Sequence, residues 1–389
     1  MAGVISSTNY GNYFTHYITK NFASSLLSIF IPIYLYANGF SLFQVGIFYL
    51  IQEIINFIFT FILYQKIHFL GVRNITIAAI IAQIIAVVLT YHYLSPVLIF
   101  LLLLAFMRAI HDSFYWGTYG IYMVHLSGKK TGNFLGKWYF FTTLVQIAII
   151  PLSGYILDNY QPFWLLLFSI ILYSLSIIPL FKIKLTPLNN NRKVGIVSLL
   201  KEKENQFILF ISHLNEFFTK INDSLMPLFI FFIFGKFFTI GIAAIFAAFG
   251  GGIYSFFIGN KSDQKKMRKK LLLFNSISYL LVIVILIFIQ NFIYKYFIYN
   301  YLVFIIVLIL AFFRIGIIVS SETGINKNCQ NSFCYSKKLM SRLGENIAGI
   351  FIGMTIMVAG LTNFTITFII CSIYIFLVIL TLFLKNEII

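Results

Sequence analysis

Charge is what this chain has least of. It holds 11 acidic and 28 basic residues in 389, 10% charged overall, against 60% hydrophobic residues and a mean hydropathy of +0.93. A surface that poor in charge cannot stay in water, so an ordinary soluble domain is excluded and a polytopic membrane protein is implied. Cysteine is nearly absent too. Cys329, Cys334 and Cys371 cannot build a disulfide framework. The pair at 329 and 334 falls in a predicted polar loop where no His or further Cys completes a metal clip. Neither a metal nor a cofactor is expected. Met1 to Tyr13 holds no Lys or Arg ahead of its apolar run, so it lacks the basic region of a cleaved signal peptide and is expected to stay. Enzyme motifs are also missing: there is no zinc-binding His pair and no nucleophile elbow. Gly250-Gly251-Gly252 is not followed by the lysine and hydroxyl of a phosphate loop. The triplet reads instead as a place of close helix approach or flexing.

What is present is a succession of apolar runs, each of about 18 residues or more, enough to cross a hydrocarbon core of roughly 30 Å as a helix. They predict an all-α protein of twelve transmembrane helices. In the first half these are 14–37, 41–65, 74–93, 96–125, 131–157 and 162–182; in the second, 206–235, 237–260, 271–290, 296–322, 341–361 and 363–384. The one long polar connector, 183–205, carries Asn189-Asn190-Asn191-Arg192-Lys193 and Lys201-Glu202-Lys203-Glu204. It divides the chain into 1–182 and 206–389, each a six-helix bundle. Most Lys and Arg fall in the loops after helices 2, 4, 6, 8 and 10 and in the C-terminus, whereas the opposite side holds Lys236 and Lys295. The positive-inside rule then places both termini in the cytoplasm, with the plasma (inner) membrane as the expected location. The net charge of +17 is a topology signal with some attraction to anionic lipid, and nucleic acid is not an expected partner.

The halves echo one another. Ala105-Phe106-Met107-Arg108 and Ala311-Phe312-Phe313-Arg314 are near copies that set an arginine deep in an apolar run. Pro32 with Gly46 stands at the same separation as Pro227 with Gly241, and Leu135-Gly136 matches Leu343-Gly344. Membrane-embedded charges are costly and face an interior or a wet cavity. Here Lys20, Arg108, Lys220 and Arg314 lie on helices 1, 4, 7 and 10, with His16, His111, Asp112, Glu216, Asp223 and Glu322. Predicted helices 3, 6, 9 and 12 contain no Asp, Glu, Lys or Arg apart from Lys182 at the last position of helix 6. A period of three, matched between halves, builds two bundles around a central polar cavity.

On these features the chain resembles the major facilitator superfamily of secondary transporters, over almost its whole length. One motif adds to the resemblance. Gly259-Asn260-Lys261-Ser262-Asp263, followed by Lys265, Lys266, Arg268 and Lys269, is similar to the family's loop of glycine, aspartate and a basic cluster. In the family that loop helps latch the bundles on the cytoplasmic side, which would make Gly259, Asp263 and Arg268 gate residues here. The equivalent loop after helix 2 departs from the pattern: Gly71 and Arg73 fit, but His68 stands in place of the aspartate and Tyr64 in place of the first glycine. Pro151 and Gly154 faintly resemble an antiporter signature. The resemblance implies alternating access around a midplane site.

Arg108, His111 and Asp112 share one helical face, as do Glu216, Lys220 and Asp223. Two readings stand for them. Arg108 with Asp112, and Lys220 with Glu216 or Asp223, are ion pairs that hold the bundles; or the cations hold an anionic substrate, for which the arginine fork is suited. The nearest acid to Arg314 on its own helix is Glu322, two turns away, so Arg314 is the candidate for an unpaired anchor. Glu53 has no basic neighbour on its helix and is the candidate proton-coupling carboxyl, with Asp223 and Glu216 as rivals; a satisfied structural carboxyl is the other reading. His16 and Lys20 read as gate or interface residues, and His111 as a packing or titrating group. Tyr115, Trp116, Tyr119, Tyr122, Trp138 and Tyr139 read as an interfacial aromatic belt, with substrate stacking as the alternative. The expected function is secondary active transport of a small organic solute, coupled to H+, by a monomer in contact with membrane lipids. Lipid translocation by the same fold is the alternative, and an enzyme is not expected.

Overall fold

A computed structural model describes residues 7–91, 97–127, 130–183, 201–295, 301–331 and 334–384, and all regular structure among them is helical. The twelve helices α1–α12 follow chain order. Helix α1 runs Ser7–Leu27 and continues through a 3-10 turn, Ser28–Phe30, into Ile31–Ala37. Next come α2 (Leu42–Leu70), α3 (Val72–Tyr91), α4 (Val97–Ser127), α5 (Thr131–Asn159) and α6 (Phe163–Phe181). Helix α7 runs Lys203–Lys220 and continues through a π turn, Ile221–Leu225, into Met226–Phe234. The last five are α8 (Phe237–Ser262), α9 (Lys265–Lys295), α10 (Leu302–Asn331), α11 (Cys334–Leu361) and α12 (Phe364–Leu384). Eleven of these segments are long and apolar enough to span a bilayer. The apolar part of α12 is shorter, but its 21 residues reach about 31 Å at 1.5 Å each.

The repeated prolines explain the two irregular helices. Proline has no N–H to give the carbonyl four residues back. Pro32 therefore frees the carbonyl of Ser28 and Pro227 that of Asp223. Helix α1 tightens at the first point and α7 widens around the second.

Helix α1 packs on α6 and α5, α4 on α2 and α3, α7 on α11, and α10 on α8 and α9. The two bundles meet mainly along α2–α11 and α5–α8, the most extensively packed pairs in the molecule. Small residues let the backbones touch there. A Cβ added to Gly259 would lie 2.6 Å from the carbonyl oxygen of Gly132, and one on Gly353 would lie 2.7 Å from the amide nitrogen of Leu50. The Gly250 and Gly252 positions abut Leu308 of α10 and Thr143 of α5, so this triplet sits at close helix crossings. The rim is apolar and outward-facing: Ile81 on α3, Phe168 on α6, Phe288 on α9 and Phe376 on α12 are all exposed.

One sequence expectation about the fold is corrected. The region between predicted helices 10 and 11 is largely helical, because α10 continues to Asn331 and α11 starts at Cys334. Hydropathy locates where a helix leaves the apolar zone, not where its hydrogen bonds stop. Cys329 and Cys334 thus lie on helices, though their side chains are outside the described residues. The connector 183–205 is described only at its two ends, and residues 184–200 lie outside the described residues.

Candidate functional site

A cavity of about 400 Å³ lies between the bundles. One wall carries Lys20 (α1), Gln52 and Glu53 (α2), and Arg108, His111 and Asp112 (α4). The other carries Glu216, Lys220 and Asp223 (α7), Arg314 and Glu322 (α10), and Lys338, Arg342 and Glu345 (α11). The helical spacing that set each trio on one face thus turns both trios toward the same space. Acids and bases balance around the cavity, so what matters is which groups are paired.

Lys220 bridges the bundles. Its Nζ lies 2.8 Å from Glu53 Oε1 and 3.8 Å from Glu216 Oε1. Glu53 is nearly sealed, its side chain 2% exposed, and it also accepts from Asn56 Nδ2 at 3.1 Å. The expectation of an isolated Glu53 is corrected: its cation comes from the other half, which no inspection of α2 alone could show. Arg314 is corrected likewise. Its guanidinium meets Asp223 Oδ1 at 2.5 Å, so it is not an unpaired anchor. Asp223 comes within its reach from the π turn of α7.

The expected Arg108–Asp112 pair gives way to other partners. Arg108 Nη1 donates to Gln83 Oε1 at 3.3 Å, while Arg108 Nε is buried without a partner among the described residues. Asp112 holds His111 Nδ1 through Oδ1 and Gln52 Nε2 through Oδ2, both at 2.8 Å. Lys20 is buried at 3% exposure, its Nζ over the rings of Tyr115 (4.2 Å) and Trp116 (4.9 Å). Lys20 and Arg108 therefore form no salt bridge among the described residues, Asp112 acting on both only at longer range, and both face the cavity. His16 is an interior residue of the first bundle, with Nδ1 2.8 Å from the Ser176 carbonyl.

The aromatic belt is also corrected. Tyr115, Tyr119, Tyr122 and Trp138 are buried inside the first bundle, where Tyr13 stacks on Tyr122 and Tyr17 packs on Trp138. Tyr139 donates its hydroxyl to Glu322 Oε1 at 2.8 Å across the bundle interface. In composition, a buried cluster of this kind is indistinguishable from an interfacial belt.

Several cavity residues escaped the sequence reading, among them Gln52, Gln83, Lys338, Arg342 and Glu345. Gln83 sits on α3, a helix read as rim. Lys338 lies ahead of the predicted start of α11 at 341, and Arg342 and Glu345 lie in the first turns of that predicted helix, outside the set of expected site residues. Arg342 pairs with Glu345 and donates through Nη2 to the Asp112 carbonyl at 3.3 Å. The signal that could have found them is the spacing of three between Arg342 and Glu345, directly beside the repeat-matched Gly344.

Contacts close the interface on both sides of the cavity. On the face where α1 begins and α12 ends, Tyr64 packs with Ile325, Leu339, Met340 and Leu343. On the opposite face, Phe30 meets Phe237 and Tyr36 meets Phe231. Helices α5 and α8 are also capped reciprocally. The Asp263 carboxylate, just past α8, accepts from the Gly132 and Asn133 amides that open α5, at 3.0 and 3.1 Å, and is 2.8 Å from Lys327 Nζ. At the other end Asp158 of α5 accepts from the Phe237 and Phe238 amides that open α8, at 2.9 and 2.8 Å. Each carboxylate satisfies otherwise orphaned N–H groups and meets the positive end of a helix dipole. Of the expected gate residues, Gly259 supplies the close approach and Asp263 the cap. Arg268 Nε donates to the Ser262 carbonyl at 3.0 Å, steadying the turn that carries Asp263.

Residues 13–333 match the family profile of the Major Facilitator Superfamily. The chain belongs to this superfamily. Among solved structures it is similar to a bacterial homologue of the iron transporter ferroportin in an outward-facing state, with a TM-score of 0.68, 10% identity, and 96% of this chain and 98% of that one covered. It is also similar to the human organic anion transporter MFSD10 (TETRAN), with a TM-score of 0.64, 9% identity, and coverage of 96% and 99%. At these identities the neighbours establish the fold. Compared by sequence, the chain matches no curated protein. As a superfamily member it is an integral membrane protein of the secondary-transporter type that binds a small-molecule substrate, and these features point away from an enzyme.

Proposed function

We propose that the protein carries a small organic anion across the plasma membrane by alternating access, coupled to protons, with residues 1–182 and 206–389 rocking about the cavity and both termini in the cytoplasm. The observation that carries this reading is the asymmetry of pairing. Lys220, Arg314 and Arg342 of the second bundle form salt bridges with carboxylates and Lys338 donates to Asn326 Oδ1, whereas Lys20 and Arg108 of the first form no salt bridge among the described residues, Asp112 acting on them only at longer range. An embedded cation that forms no salt bridge is stabilised by an anion arriving with the substrate, and Arg108 offers a planar fork suited to carboxylate or phosphate. The anchor role thus moves from Arg314 to Arg108 and Lys20, with His111 and Asp112 shaping the same wall. A cavity of about 400 Å³ suits a metabolite-sized solute.

For coupling, Glu53, Lys220 and Glu216 form the proposed element. Lys220 holds one carboxylate of each bundle, so a proton on Glu53 weakens the α2–α7 tie and frees Lys220 for Glu216. Asp223, held by Arg314, is the second candidate carboxyl. On the cytoplasmic side Gly259, Asp263 and Arg268 form the gate, which must part for the cavity to open there.

The test is uptake into proteoliposomes of labelled organic anions, neutral sugars and zwitterions, with and without an imposed pH gradient. Anion uptake that rises with an inward proton gradient, and is lost in Arg108→Gln and Lys20→Met, is the expected result. Equal uptake of neutral solutes by those variants, or scrambling of labelled lipid in place of solute uptake, would reject the reading.

A further inference from the structure

A second cavity, of about 340 Å³, lies within the second bundle beside the Asp263 cap. Its floor is apolar, made by Phe207, Ile208 and Ile211 of α7 with Leu272 of α9. Its mouth carries Lys265 and Arg268 from the first turn of α9 and Lys327 from the end of α10, with Asp263 as the one acid among the described residues that line it. Lys327 is committed to Asp263, through both its carboxylate at 2.8 Å and its carbonyl at 2.7 Å. Arg268 spends only Nε, on the Ser262 carbonyl, and its guanidinium lies against Gly324, where no side chain intervenes. The two terminal nitrogens of Arg268 and the ammonium of the exposed Lys265 are left without an acceptor among the described residues.

We propose that this cavity is a binding site for a phosphate-bearing anion, separate from the transport cavity, with Arg268 and Lys265 as its ligands. Two sources share that chemistry: the headgroup of an anionic phospholipid and a free phosphate. The structure favours the lipid. Lys265 opens α9 and Lys327 lies near the end of α10, so the basic mouth is at headgroup depth on the lysine-rich face, where basic pockets between helices meet anionic headgroups. The apolar floor gives an acyl chain something to cover, whereas a free phosphate would leave it wet. Arg268 donates in a fork that matches two phosphate oxygens. Its Nε bond orients that fork and lowers the entropy lost on binding. Ser320 and Ser321 line the same wall and can supply hydroxyl contacts. Because Asp263 and Lys327 belong both to this cavity and to the cap on α5, an occupant sits directly against the proposed cytoplasmic gate.

The experiment titrates the purified full-length protein with phosphatidylglycerol, phosphatidylcholine or inorganic phosphate and counts bound molecules by native mass spectrometry. One phosphatidylglycerol per chain is expected to bind well ahead of phosphatidylcholine, with inorganic phosphate displacing it only weakly. In Arg268→Gln combined with Lys265→Gln that affinity should fall about tenfold or more, the loss of charge-assisted hydrogen bonds. Lys236→Gln, on the opposite face, should leave it unchanged. Inorganic phosphate binding as tightly as the lipid, and lost in the same double variant, would support the site with a free anion as its occupant. Equal binding of both lipids by the wild type, or unchanged binding in a double variant whose thermal unfolding matches the wild type, would overturn the proposal.

Discussion

Glu53, Lys220 and Glu216 offer a test in which the order of effects, not merely their sign, follows from geometry. Lys220→Met removes the cation that the structure gives Glu53, whose side chain is 2% exposed, and strands that carboxylate in apolar surroundings. Breaking a buried pair in this way costs about 3–5 kcal/mol. The complementary change, Glu53→Gln, is milder. Lys220 is 18% exposed to the cavity and still has Glu216 at 3.8 Å, while the amide that replaces the carboxylate can keep a hydrogen bond to Asn56. A loss of about 1–2 kcal/mol, comparable to a hydrogen bond with a charged group, is expected. Combining the two leaves Glu216 as the one charge of this trio, and it is 22% exposed, so the double variant should be more stable than Lys220→Met alone. That is the signature of a coupled pair in a double-mutant cycle. Equilibrium unfolding in detergent, followed by tryptophan fluorescence and helical ellipticity, measures all four proteins. If Glu53→Gln is as destabilising as Lys220→Met, or the double variant is simply the sum of the singles, the bridge between the bundles is not what holds Glu53 in place.

Arg108→Ala should abolish anion uptake while Arg314→Ala only slows it, because removing Arg314 leaves Asp223 with half of its side chain already in water; concentration-dependent uptake separates the two. Asp158→Ala removes the acceptor for two α8 amides, a loss of about 1–2 kcal/mol at that end, and should raise the thiol-labelling rate of a cysteine at Thr239; Asp263→Ala should do the same for one at Asn133. Gly136→Ala would push a methyl against the α8 backbone, with Gly259 Cα only 3.0 Å from it, and should destabilise by about 1–3 kcal/mol. Gly11→Ala, with nothing within 4 Å, should be neutral or slightly stabilising, read from the thermal midpoint of each variant. If coupling runs through Glu53, Glu53→Gln should retain anion exchange but lose accumulation driven by a pH gradient, and an unaltered pH dependence of uptake would remove it from that role.

The architecture was legible because the bilayer permits few answers. A chain of repeated 20-residue apolar runs must satisfy its backbone internally, so helices follow. Charges on helices 1, 4, 7 and 10 then had one place to go, and the structure turns Lys20, Arg108, Lys220 and Arg314 into a single cavity. Less legible was the end of each helix. Lys338 and Arg342 read as charges of the loop because hydropathy fades before the hydrogen-bonded ladder of α11 does. Asp158 escaped for a different reason: its partners are backbone amides of another helix, and amides carry no sequence signal.

By itself the sequence determined which side chains are expensive to bury, and therefore which helices must face inward, since transfer into hydrocarbon depends on residue type alone. Which cation meets which carboxylate it could not determine. Helical spacing proposed Arg108 with Asp112, Lys220 with Glu216 or Asp223, and Arg314 with nothing. The tertiary structure keeps Lys220 within 3.8 Å of Glu216 but also joins it to Glu53 across the bundle interface, pairs Arg314 with Asp223 between helices of one bundle, and leaves Lys20 and Arg108 without a salt bridge among the described residues. Pairing energy depends on distances of a few ångströms between helices, and those are set by where glycines let two backbones touch.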